Sequence, residues 1–129
     1  MQAAFDMTVE WAFDRHSFGR PLASYQAIKH RFADMKAWLE ASHAISDTAI
    51  AAVAAGGPDA AEIVSAAKAF IGEYGVELLQ DCVQIHGGIG LTFEHDVHLH
   101  LRRVTVNRAL YGTPAEHRRR IAHRLEGAA

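Results

Sequence analysis

The sequence predicts an all-α fold, an antiparallel up-and-down helical bundle. Three observations lead there. Apolar residues recur at spacings of three and four over most of the chain. No segment of convincing length alternates with the two-residue period of a strand. Pro21, Pro58 and Pro114 each lie beside a glycine or a cap residue, outside the long periodic runs. A chain of 129 residues suits one domain and can bury roughly two thirds of its unfolded surface.

The elements follow in order. Phe5, Val9, Ala12 and Phe13 mark a first helix over 2–16. It starts without a clear cap and reads as the end of a truncated helix. Ile28, Phe32, Met35, Leu39, Ser42, Ser46, Ala49 and Val53 form one stripe of a second helix over 24–55, with Ser24 as N-cap and Gly56 as stop. Ile63, Ala67, Phe70, Tyr74, Leu78, Cys82 and Ile85 mark a third helix over 59–86, followed by a loop from His86 to Thr92. Val97, Leu101 and Val104 place a fourth helix over 93–109. The fifth has the clearest start: Thr113 as cap, Pro114 at the first helical position and Glu116 three residues after the cap. Connections this short make neighbouring helices antiparallel.

Composition excludes several functions. Half the residues are hydrophobic and the net charge is only -2, which argues against disorder and against a basic nucleic-acid surface. Cys82 is the single cysteine, so neither an intrachain disulfide nor a multi-cysteine zinc site is possible. No signal-peptide core is visible near the start. The longest small-apolar run, Ala49 to Ala55, is far short of a membrane span. A cytoplasmic chain is expected. Of nine histidines, His95 and His98 share a helix face beside Glu94 and His100 is displaced. Without an H-E-x-x-H spacing they read as polar-face residues and not as metal ligands. Arg118, Arg119, Arg120 and Arg124 read as a solvated face near a helix C-terminus. Trp11 and Trp38 read as packing residues.

Two connections are richer than bundle turns require. The first, Arg15-His-Ser-Phe-Gly-Arg-Pro-Leu22, offers a guanidinium, a hydroxyl and an aromatic ring. Arg15 is suited to a phosphate and Phe18 to a flat ring; by pattern alone the segment reads first as a helix C-terminus with a favourable cation and a glycine stop. The second, Gln84-Ile-His-Gly-Gly-Ile-Gly-Leu-Thr92, carries glycines that let a backbone approach a ligand, or that make a sharp turn at positive φ. It is not a dinucleotide fingerprint, since no strand precedes it.

Together these segments resemble the C-terminal helical domain of the acyl-CoA dehydrogenases. The resemblance runs through Arg15-x-x-Phe18-Gly19-x-Pro21, Gln26-Ala-Ile-Lys-His30 with Ala33-Asp34-Met35, Gln84-x-x-Gly87-Gly88-x-Gly90 and Gly112-Thr113. It covers nearly the whole of 1–129. The stretch Glu94 to Arg103 resembles an actinobacterial branch, some of whose members handle sterol or bile-acid side-chain thioesters and assemble from two different subunits. The resemblance implies an FAD-dependent oxidoreductase that removes hydrogens from Cα and Cβ of an acyl-CoA thioester. A carboxylate takes the α proton and the flavin accepts the hydride. It further implies that Arg15, Ser17 and Phe18 contact FAD bound mainly by a neighbouring subunit, that Gln84 and Gly88 contact its adenosine-diphosphate part, and that Thr113 contacts FAD near the active site. A homo- or hetero-oligomer is implied as well.

The chain departs from the family in two ways. Many members carry a catalytic Glu directly before the Gly-Thr pair, whereas Tyr111 stands there. A tyrosine is a poor α-proton base near neutral pH, and no catalytic base is assigned. The N-terminal helical and middle β domains that build most of the family's flavin and acyl-CoA pocket do not fit into 129 residues. This chain is therefore expected to be incomplete and inactive by itself. A second reading is a non-catalytic partner or assembly module of a heteromeric acyl-CoA dehydrogenase.

Overall fold

A computed structural model describes residues 1–127. Five α-helices form the body: α1 (Gln2–Asp14), α2 (Gln26–Ala55), α3 (Ala60–His86), α4 (Val97–Ala109) and α5 (Pro114–Gly127). Between α1 and α2 lies a small antiparallel hairpin of β1 (His16–Ser17) and β2 (Arg20–Pro21), then a 3-10 turn, Leu22–Ser24. A second 3-10 turn, Gly87–Leu91, follows α3.

Contacts along α3 fix the directions. Met1 faces Gly75 and Trp11 stacks on His86, so α1 runs parallel to α3. Arg31 pairs with Asp81 and Trp38 meets Tyr74, so α2 runs antiparallel. The order α1, α2, α3, α4 is the expected up-and-down bundle. Helix α5 continues in the direction of α4. Pro114 packs on Gly72, and the Arg124 guanidinium donates to the Pro58 carbonyl at 3.1 Å. Helices α4 and α5 therefore lie end to end along α3. Arg118 stays on the solvated face expected of it and pairs there with Glu73 of α3.

The core forms where α1, α2 and α3 meet. Met35, Leu39, Leu78, Leu79, Cys82 and Val97 are fully buried. The Phe5 ring meets Phe32 edge-on at 5.8 Å between centroids, joining α1 to α2. Burial pushes the Cys82 thiol up to about 11, so it serves as a packing group and not as a nucleophile.

Helix α3 buries far more than the one stripe expected of it. Ser65, Ala69, Gly72, Gly75, Val76, Leu79, Val83 and His86 are buried as well, because α1, α2, α4 and α5 surround it. Two glycines permit this. A Cβ on Gly72 would lie 3.0 Å from Pro114 Cγ, and one on Gly75 would lie 3.1 Å from Val104 Cγ2.

The element ends differ from expectation at three places. Helix α2 starts at Gln26, with Tyr25 as N-cap. Ser24 does not cap it: its hydroxyl donates to the Pro21 carbonyl at 2.7 Å inside the 3-10 turn. Helix α4 starts at Val97, not at 93, because the Val97 N–H donates to the His95 ring at 3.2 Å and fixes the start there. Helix α1 ends at Asp14, where the hairpin takes over the backbone pairing. At Gly56 the expected stop is present in left-handed conformation, φ 64.

Replacing Gly72 by Val is expected to destabilise the chain by about 1–3 kcal/mol through overpacking against the rigid Pro114 ring. Urea unfolding measures this. Gly57→Ala, whose added methyl meets open space, serves as the near-neutral reference.

Candidate functional site

The segment from Arg15 to Leu22 is a strained hairpin, which corrects the reading of a helix C-terminus with a glycine stop. Arg15 is already extended (φ -77, ψ 120). The strands pair His16 with Pro21 and Ser17 with Arg20, leaving Phe18 and Gly19 at the tip. Both tip residues have positive φ, 50 and 78. Such two-residue turns match the twist of the flanking strands. Glycine adopts this conformation freely, whereas a bulky aromatic is disfavoured in it. The hairpin is braced from behind. The Tyr25 hydroxyl donates to the Ser17 carbonyl at 2.7 Å, and the Arg20 guanidinium lies 3.8 Å from the centre of the Tyr25 ring. The Leu22 N–H donates to the Arg15 carbonyl at 2.8 Å. Phe18 is 98% exposed. The Arg15 guanidinium has neither an ion pair nor a hydrogen bond among the described residues.

The glycines after α3 divide by cause. Gly87 ends the helix at φ 67, its N–H donating back to the Gln84 and Val83 carbonyls. Gly90 is forced by crowding, since a Cβ there would lie 2.7 Å from the Val83 carbonyl oxygen. Gly88 has neither reason: its φ is not positive, and an added Cβ would meet nothing within 4 Å. Gln84, Leu91 and Phe93 are exposed beside it.

These two segments meet at one end of the bundle. The Trp11 and His86 rings stack, with centroids 5.2 Å apart at 20°. The Arg15 N–H bonds the Trp11 carbonyl at 2.8 Å, and Gln84 and Gly88 flank His86 in sequence. Trp11 therefore packs as expected, and it packs where it aligns the hairpin with the glycine turn. The His86 Nδ1–H donates to the Cys82 carbonyl at 2.8 Å, while its Nε2 and the Trp11 Nε1 are buried without partners among the described residues. Burial, and then the neighbouring His95 ring at 4.3 Å, pushes the His86 pKa below the usual histidine range, although the Cys82 carbonyl works the other way.

The remaining site residue is elsewhere. Thr113 caps α5 in a reciprocal box: its N–H and hydroxyl donate to the Glu116 carboxylate at 2.6 and 2.8 Å, and the Glu116 N–H donates to the Thr113 hydroxyl at 3.3 Å. Those two donors hold Glu116 below the usual carboxylate range. Pro114 packs on Gly72, and the stretch of α3 from Gly72 to His86 spans about 21 Å at 1.5 Å per residue. Arg15, Ser17, Phe18, Gln84 and Gly88 thus form one group, with Thr113 and Tyr111 in a second. Tyr111 sits at φ 63 with its ring 89% exposed. Beneath the second group lies His117, buried although it belongs to a helix of mostly charged sequence. Its place three residues after Pro114 and four before Ile121, on the face those residues share, was the available signal. Burial, then Arg120 and Lys68, lower its pKa.

The family model for the acyl-CoA dehydrogenase C-terminal domain matches residues 1–126. The chain belongs to the acyl-CoA dehydrogenase family. It is 36% identical over 116 residues to acyl-CoA dehydrogenase IpdE2 of Mycolicibacterium smegmatis, covering 90% of this chain and 35% of that protein. A variant of the Tcur3481-Tcur3483 steroid ACAD superposes with a TM-score of 0.92 at 26% identity, covering 98% of this chain and 35% of the other. The FAD complex of PigA gives 0.90 at 27% identity, covering 99% and 33%. The chain spans about a third of the length of each of these three proteins, and the family model that it matches is that of a C-terminal domain. No helix of the described residues is long and apolar enough to cross a membrane.

His86 and His117 both have pKa values lowered in the folded state. As pH falls below about 6.5, the unfolded chain takes up protons that the folded one refuses, so stability is lost until the lowered folded values are reached. The slope is at most about 1.4 kcal/mol per pH unit for each such proton. Thermal unfolding between pH 7.5 and 5.5 is expected to show this loss, and His86→Gln to lessen it.

Proposed function

We propose that the chain supplies cofactor and assembly contacts to an FAD-dependent acyl-CoA dehydrogenase that forms a double bond between Cα and Cβ of an acyl-CoA thioester. The observation that carries this reading is Phe18: a large ring held left-handed at a braced hairpin tip, 98% exposed, beside an unpaired Arg15. Neither feature serves the fold. Both suit a ligand with a flat ring system and a diphosphate.

The residues present fit FAD. Arg15 offers two parallel N–H donors to a phosphate, Phe18 offers a face to a ring, and Ser17 lies next to both. The open space at Gly88 admits a ligand to the backbone, with Gln84 available to hydrogen-bond it. When bound, FAD supplies the acceptor for the hydride leaving Cβ. Thr113, in the second group, is proposed to hold the flavin near the reacting atoms. The acyl-CoA pocket and the remaining flavin contacts come from domains outside these 129 residues, in a homo- or hetero-oligomer. The resemblance to the actinobacterial branch makes a branched or sterol-derived acyl group the favoured substrate class.

Tyr111 favours a particular division of labour. Exposed, and a phenol where many family members have a carboxylic acid, it provides no carboxylate before Gly112, so the α-proton base comes from another part of the assembly. A wholly non-catalytic assembly module is the second reading, and the same tyrosine supports it. Co-purification with a longer flavoprotein subunit, with turnover unaffected by Tyr111→Phe, would favour that module.

The test is a titration of FAD with the assembled enzyme that contains this chain, read by flavin fluorescence polarisation. Saturable binding is expected. Arg15→Ala is expected to weaken it by roughly tenfold or more, the scale of a lost charge-assisted contact. Phe18→Gly should weaken flavin binding while leaving folding stability unchanged or raising it by about 1 kcal/mol, because it relieves the left-handed strain. Equal affinity in both variants and wild type would remove the hairpin from the cofactor site.

A further inference from the structure

The turn between α4 and α5 is strained in a way its own packing does not require. Tyr111 and Gly112 have consecutive positive φ values, 63 and 114. The Tyr111 ring gains no burial from this, since it is 89% exposed. A bulky residue persists in that conformation only where its surroundings over-determine it. The Thr113–Glu116 box fixes the helix start after the turn, and Pro114 on Gly72 fixes its position along α3. Neither contact acts on Tyr111 or Gly112 themselves.

His117 does. Its ring is 3% exposed and lies directly under the turn, with Nε2 3.0 Å from where a Gly112 Cβ would stand and Arg120 Nη2 at 3.4 Å from the same point. Neither ring nitrogen has a hydrogen-bond partner among the described residues. A leucine would fill this space without burying two unsatisfied nitrogens, which carry a desolvation cost. An imidazole at this place therefore has a use beyond filling volume.

We propose that His117 is a positioning residue, its buried imidazole bracing the Tyr111–Gly112 backbone from below and so setting where Thr113 and the Tyr111 ring meet the flavin. The link to the flavin rests on the function proposed above. The brace itself does not.

Chymotrypsin cleavage of the folded chain tests it. The enzyme cuts after exposed aromatics once the local backbone opens, and Phe18 and Phe93, both at least nine-tenths exposed, are internal references. His117→Leu is expected to raise cleavage after Tyr111 by about tenfold relative to those two sites, as a brace lost from a local opening would. His117→Gln keeps a planar polar group against Gly112 and is expected to restore most of the protection. An unchanged ratio in His117→Leu overturns the proposal. So does a Gln variant as labile as the Leu variant, which would make His117 a space-filler, or an equal rise at all three sites, which would make the effect global. The two readings separate cleanly. If Arg15→Ala leaves flavin affinity unchanged, the function fails and the brace stands; if His117→Leu leaves Tyr111 protected, the brace fails and the function stands.

Discussion

Helix α3 has neighbours on nearly every side, and the close approach of α4 and α5 to it is the constraint on which the rest of the molecule depends. Both helices run antiparallel to α3, one after the other, so each needs its own point of contact. Gly75 admits Val104 of α4, and Gly72 admits Pro114 at the first position of α5. A side chain at either glycine would push a helix outward, and the turn between α4 and α5 would move with it. The same helix ends at His86, whose stack on Trp11 sets the hairpin against the glycine turn. Helix α3 is therefore the ruler that places both groups of site residues.

Much of this was legible in the sequence, and the failures have physical causes. The stripe from Met35 through Leu39 and Ser42 to Ala49 is buried as its spacing requires, because α2 packs on one side only. For α3 the same reasoning found one face of several. A helix enclosed all round has small residues among its buried positions, and Gly72 or Ser65 carries no hydrophobic signal. The hairpin was missed because two-residue strands are too short to show alternation. Phe-Gly is also a poor advertisement for a turn that usually takes asparagine or aspartate before glycine. The capping box at Thr113 was read correctly since all its information lies within four residues. His117 is harder to read for the opposite reason: its local pattern, with Pro114 and Ile121, is short, and the Gly112 turn that packs on its ring lies outside the helix.

The two groups share one device. Phe18 and Tyr111 are the only non-glycine residues with positive φ among those described, both are aromatic, both sit at turn tips, and both are almost wholly exposed. Folding stability alone would favour glycine or asparagine at each, by about 1 kcal/mol. Stability sacrificed twice in the same way, once in each group, points to surfaces shaped for contact with something else.

The distance between the groups constrains what that contact is. The stretch of α3 from Gly72 to His86 keeps Thr113 about 21 Å along the axis from the Arg15–Phe18 hairpin. A single ring system cannot reach both. Flavin binding by both groups in one chain requires either an extended cofactor lying along α3 or two separate cofactors, one at each end. In the second case each cofactor is completed by a different copy or partner, and neither site is whole within a single 129-residue chain. Under the proposed function, the exposure of Phe18 and the open backbone at Gly88 fit that geometry, since residues that meet a ligand held mainly by a neighbour have no reason to be buried in their own subunit.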